Sequence, residues 1–175
     1  MGHFINTIAI LLTVAPFFAA ASAQCPQFDA GQIETLQRSY DLGKPHDLGL
    51  TLAAIALKES SAGKYVINAV SADYGVYQSN YKTLCKQAGV YHDNFLCNQE
   101  VGRVVNDIEK AAEHALKTLQ YWQGYHTKRS LEGLVYENTI RSYHEGFGFQ
   151  TPKADDYYKK YKTAFYTIKQ CVRFT

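Results

Sequence analysis

The stretch that decides the fold is Leu48-Gly49-Leu50-Thr51-Leu52-Ala53-Ala54-Ile55-Ala56-Leu57-Lys58-Glu59-Ser60. Asp47 stands where a helix N-cap is expected, and Leu48, Leu52, Ile55 and Ala56 recur on one face of the helix that follows. Glu59 breaks that pattern. Leu48, Leu52, Ile55 and Glu59 are separated by 4, 3 and 4 residues, so the carboxylate projects from the face that should enter the core. It also falls at the helix C-terminus, where the helix dipole disfavours negative charge. Partial burial and that dipole both favour the protonated acid, the form needed to protonate a glycosidic oxygen. The other reading is a boundary Glu paired with a Lys or Arg.

Outward from this helix the apolar periodicity stays helical. Ile33, Leu36, Gln37 and Tyr40 mark a helix from Asp29 to about Leu42, stopped by Gly43 and Pro45. A long helix is expected from Asn98 to Tyr121, with Val101, Val104, Val105, Ile108, Ala112, Ala115, Leu116 and Leu119 on its apolar face. Further helices are expected over Leu131 to Ser142 and Ala154 to Gln170. The interval Gly63 to Tyr77 mixes Val66, Ile67, Val70 and Tyr74 with Asn, Ser, Asp and Gly, and reads as irregular structure or a small hairpin. The fold class is mainly α, in one domain.

The chain begins with a segment that does not belong to that domain. Phe4 to Ala21 is almost wholly apolar and runs into Ala21-Ser22-Ala23, a small-x-small pattern cut by signal peptidases before Gln24. A retained membrane anchor is the alternative, but the apolar run is short for a span. Residues 1–23 are thus read as a signal peptide and 24–175 as the mature domain, about 150 residues and enough for a core. The formal charge of +2 lies wholly in the mature part, because segment 1–23 holds no Asp, Glu, Lys or Arg. It is too weak for a nucleic-acid-binding face and compatible with an anionic wall polymer. Four cysteines, Cys25, Cys85, Cys97 and Cys171, follow the export signal and point to disulfides. Of the three pairings, Cys85–Cys97 with Cys25–Cys171 is favoured, closing one short loop and tying the two ends together. No Cys-x-x-Cys pair supports zinc, and no metal or cofactor is expected. The 14 tyrosines suit a sugar-stacking groove, though most are expected on helix surfaces. Trp122, at the end of the long helix, reads as a partly buried packing residue, with a groove wall as the other reading.

Three short segments now belong together: Glu59-Ser60, Gly75-Val76-Tyr77-Gln78, and Ser142-Tyr143-His144-Glu145-Gly146. In order and approximate spacing they resemble the Glu-Ser, Gly-Leu-Met-Gln and Ala-Tyr-Asn-Ala-Gly segments of the lysozyme-like lytic transglycosylases and goose-type lysozymes. The small exported members that accompany secretion, pilus and conjugation machines are most similar, and small phage cell-wall enzymes share the core. Cys25-Pro26-Gln27-Phe28-Asp29 and Cys97-Asn98-Gln99-Glu100-Val101-Gly102 also resemble segments of that branch. The resemblance spans roughly Cys25 to Gly148 and implies a lysozyme-like fold. It implies cleavage of peptidoglycan strands outside the cytoplasm, with Glu59 as the catalytic acid/base and Ser60 as a substrate contact. Gln78 and Tyr143 are implied near that Glu in the groove, and Tyr77, where the family has Met, as groove lining. His144 and Glu145 replace the Asn-Ala pair, which places two ionisable groups beside the site or out in solvent. The protein is expected to act as a monomer on glycan strands, in partnership with a trans-envelope machine or a phage. In the family a single Glu suffices and yields a 1,6-anhydro end. A hydrolytic muramidase using Asp73 as a second carboxylate is the alternative, although a loop Asp is more often a turn residue. A non-catalytic glycan-binding module in which Glu59 is idle is the rival from another class.

Overall fold

A computed structural model describes residues 25–129 and 134–175. The expected signal peptide and the expected helix start at Leu131 lie outside the described residues. Among these residues the chain forms seven α-helices, two short 3-10 turns and one small sheet, in keeping with the mainly α expectation.

Helix α1 (Ala30–Gly43) begins at Asp29, whose carboxylate accepts from the Gln32 N–H while the Gln32 side chain accepts from Asp29 N–H. This reciprocal pair satisfies two otherwise orphaned donors. A 3-10 turn, Lys44–His46, leads to Asp47 in the left-handed region. Asp47 therefore does not cap the next helix as expected. Helix α2 (Gly49–Ser60) starts from Leu48 with no side-chain cap, and its entry is held instead by Leu48 N–H donating to Gly43 O. Every residue from Thr51 to Ala56 is buried. Such an all-round apolar helix belongs in the centre of a domain, and α2 packs chiefly against α1 and α7 (Pro152–Cys171).

After α2 comes a three-stranded antiparallel sheet: β1 (Ile67–Asn68), β2 (Asp73–Tyr74) and β3 (Ser79–Asn80), in that order. The expected small hairpin is thus a meander that extends to Asn80. Gly75, just after β2, has φ +78, and a Cβ there would lie 2.7 Å from Val104 Cγ1 and 2.8 Å from Val104 O. Only glycine allows the sheet to approach the following helices this closely. Asn80 then caps α3 (Tyr81–Gln87), and Asp93 caps α4 (Asn94–Asn106).

The long helix expected from Asn98 to Tyr121 is two helices. α4 ends at Asn106, Asp107 is extended (φ −133, ψ 110), and α5 (Ile108–Lys128) begins beyond it. The Asp107 carboxylate accepts from Glu109 and Lys110 N–H, so it caps the second helix rather than continuing the first. Helix α6 (Val135–Glu145) packs on α5 and α7. The turn Gly146–Gly148 leads to α7, capped by Thr151. Leu36, Leu52, Ile55, Leu84, Leu119, Ile140 and Ile168 lie fully in the core between these helices. Two disulfides, Cys25–Cys171 and Cys85–Cys97, with Cα atoms 5.5 and 5.1 Å apart, are the pairing favoured above.

Candidate active site

The end of α2 carries the site. Glu59 lies in the last turn with its side chain 12% exposed. Tyr157, from α7, donates its hydroxyl to Glu59 Oε1 at 2.5 Å. Lys58 Nζ stands 3.4 Å from both Glu59 oxygens. Burial pushes the Glu59 carboxyl above its ordinary 4.5, and Asp73 adds a little. Lys58 and the Tyr157 bond oppose the rise without cancelling it.

Glu59 opens onto a groove of about 950 Å³. One wall is the sheet and α3, with Asp73, Gln78, Ser79, Asn80, Thr83 and Lys86. The other is formed by Tyr121 and Trp122 of α5, Tyr143 and His144 of α6, Phe147 and Lys153. Trp122 both packs and lines: it is nearly buried, with Phe147 edge-on at 5.0 Å. Asp73 sits in β2 with Asn80 Nδ2 donating to its Oδ1 at 3.1 Å.

The residues expected around Glu59 divide into two groups. Gln78, Tyr143 and His144 reach the groove. The Gln78 amide donates to Gly75 O and Tyr65 O, which holds the turn after β2 while the backbone at Gln78 takes a left-handed φ of 47. Tyr143 donates its hydroxyl to Tyr77 O at 2.9 Å, and burial pushes its phenol well above the ordinary range. Ser60 and Tyr77 do not reach the groove. Both are wholly buried. The Ser60 hydroxyl donates to Val76 O (2.7 Å) and accepts from Gly63 N–H (2.8 Å), fastening the end of α2 to the segment after β2. Tyr77 enters the core and donates to Ser39 of α1. Neither can touch a substrate, so these two expectations are corrected to a structural role. The apolar ring of Tyr77 is better accommodated inside, and its one polar atom finds a buried partner there.

His144 stacks on the Tyr157 ring, centroids 4.3 Å apart and nearly parallel. Its Nε2 lies 3.2 Å from Glu145 Oε1, which Lys153 also approaches at 2.6 Å. Burial first, and Lys58 next, push the His144 imidazole below its ordinary 6.5. His144 thus faces the groove, while Glu145 is an ion-paired group with its side chain 17% exposed.

Sequence reasoning missed Tyr157, and it allowed a Lys or Arg partner for Glu59 without pointing to Lys58. Tyr157 lies beyond the stretch that carries the resemblance and shares a core periodicity with Ala154, Tyr161, Ala164 and Ile168. Only the position of its hydroxyl separates it from an ordinary core tyrosine. Lys58 is adjacent to Glu59, and neighbours in a helix do not share a face. Among the described residues no cluster of His, Cys, Asp and Glu comes together as a metal site. No protein-family model, no curated protein and no solved structure matches the chain.

Proposed function

We propose that this is an exported lytic transglycosylase, cutting the β-1,4 bond from N-acetylmuramic acid to N-acetylglucosamine in peptidoglycan with a lysozyme-like fold. The observation that carries the reading is Glu59, a buried acid fixed by Tyr157 and opening onto a groove of about 950 Å³. A carboxyl kept protonated by burial gives its proton to the glycosidic oxygen as the C1–O4 bond breaks, the bonding pair leaving with that oxygen. The Glu59 carboxylate so formed takes the proton from the 6-hydroxyl of the same muramic acid, whose oxygen bonds to C1. The ring closes as a 1,6-anhydro sugar, and Glu59 ends protonated, ready for another cycle. The aromatic wall of Tyr121, Trp122 and Phe147 suits the faces of pyranose rings. The three-segment resemblance supports the same chemistry, and the two disulfides fit an oxidising compartment outside the cytoplasm. The partner is the glycan strand itself, cut to open the wall for a secretion, pilus or conjugation machine or a phage.

One observation favours a second reading. Asp73 lines the same groove, so a hydrolytic muramidase with Asp73 as second carboxylate is the alternative. The test of the enzyme reading is digestion of purified peptidoglycan by the wild type and by Glu59→Gln. The substitution should lower the rate by about 10²–10⁴ with the fold intact. If the wild type binds the wall without cutting it, the protein is a binding module.

A further inference from the structure

Lys58 and Glu59 are neighbours on α2, and consecutive side chains on a helix point about 100° apart. Yet Lys58 Nζ lies 3.4 Å from both oxygens of Glu59. The reason is on α7. The Lys58 ammonium sits over the Tyr157 ring, 4.0 Å from its centroid, and the hydroxyl of the same tyrosine donates to Glu59 Oε1. Tyr157 therefore holds the acid by its edge and the cation by its face. Lys58 is itself poorly solvated, with its side chain 18% exposed, and it lines the groove. A cation in that position lies beside the acid and on the same groove.

We propose that Lys58 is a positioning residue for the reaction, which stabilises the Glu59 carboxylate left by the first proton transfer and so lets one side chain act as acid and then as base. This rests on the transglycosylase or muramidase reading of Glu59. Proton transfer to the glycosidic oxygen leaves an anion in a site whose burial penalises charge. An ammonium already in place needs no reorganisation when the anion forms, which makes it most effective in the transition state. Too much desolvation would leave Glu59 a weak proton donor; the cation offsets that without exposing the acid to water. The other charged or titratable groups that bear on Glu59 are Asp73 from β2, Tyr143 from α6 and Tyr157 from α7, and His144 of α6 stacks on Tyr157 and bears on Lys58. Asp156, also on α7, feels the Lys58 charge from the exposed side. Of these groups only Lys58 is a cation within salt-bridge distance of the Glu59 oxygens.

Lys58→Met keeps the stem over Tyr157 and removes the charge, whereas Lys58→Arg keeps the charge. The two are compared with wild type by carbon NMR titration of the Glu59 carboxyl, its signal identified by its loss in Glu59→Gln, and by kcat/KM on peptidoglycan against pH. Without the cation Glu59 is harder to ionise, so the Lys58→Met midpoint should rise by about one to three pH units. The alkaline limb of kcat/KM should move up with it, kcat should fall roughly tenfold or more, and Lys58→Arg should restore all three. A Glu59 midpoint that stays put in a folded Lys58→Met overturns the proposal, and so does a midpoint that moves while the limb of the rate profile does not. Undiminished activity in Glu59→Gln would instead remove the catalytic reading of Glu59, whatever Lys58 does.

Discussion

At the scale of the residue, the burial of Glu59 pulls stability and the proposed chemistry in opposite directions. In the unfolded chain its carboxyl ionises near the ordinary 4.5, and in the folded protein above that. Between those two values the folded state binds more protons than the unfolded one. Stability therefore falls as pH rises through that window and stays lower above it. Glu59→Gln cannot ionise and can still accept from Tyr157. It should melt at a higher temperature than wild type at pH 8, with the gain disappearing below about pH 4.5. Melting curves of both proteins across pH would show it; a mutant less stable than wild type at pH 8 would contradict the burial argument. Glu59 itself was legible in the sequence, because a carboxylate at a core position of an otherwise apolar helix violates the periodicity. Ser60 and Tyr77 were misplaced because a motif fixes the order of residues and not the direction of side chains. Ser60 at the end of α2 and Tyr77 after Gly75 each satisfy a buried partner instead of facing the groove.

At the scale of the element, the groove depends on how α3, α4 and α5 are joined. His114 on α5 is buried, with Nδ1 2.7 Å from Gln87 Oε1 of α3 and Nε2 2.8 Å from Glu100 Oε1 of α4. The Gln87 amide nitrogen donates to Thr118 Oγ1, whose hydroxyl donates back to His114 O. That fixes the Gln87 oxygen toward the imidazole, so both ring nitrogens face acceptors. The bond from His114 is the main cause that holds the Glu100 carboxyl below its ordinary 4.5. Its stabilising contribution is present above that value and is lost as pH falls through the lower folded one. His114→Leu leaves Glu100 to Arg103 alone and the Gln87 oxygen without its partner, and should cost about 1–3 kcal/mol in urea unfolding; a loss near zero would show that water replaces the imidazole freely. None of this joint was readable beforehand. The Val101–Leu119 apolar face continues across Asp107, so periodicity alone saw one helix where the Asp107 carboxylate starts a second. Helix α3, at seven residues, is too short to establish a period. Helix α2, which carries Glu59, was readable in outline, but its start was not. Asp47 is a good capping residue by type, and the tight Gly43–Leu48 connection left it in a left-handed turn.

At the scale of the whole molecule, the chain is a helical frame around α2 with a groove on one side. Its ends are tied by Cys25–Cys171, which spans 146 positions in the sequence. Cys25 is exposed, so little packing is at stake and the bond acts mainly by restricting the unfolded chain. Replacing both cysteines by Ser should lower unfolding stability by about 2–5 kcal/mol, read from the shift in urea midpoint; a shift near zero would place the stabilisation elsewhere. The mainly α class and the small sheet were legible from periodicity and turn residues, and the even cysteine count pointed to disulfides, whose observed pairing was the favoured one of three. The tyrosine on α7 that completes the site was not, because its partner lies 98 positions away in the chain. On the proposed reading, what the molecule does as a whole rests on the fate of the glycosidic bond that Glu59 would protonate. The most direct measurement is the mass of the muropeptides released from purified peptidoglycan by the wild-type protein. The account predicts 1,6-anhydro-muramyl ends, one water lighter than hydrolytic products. Reducing ends alone would contradict it and favour the hydrolytic reading.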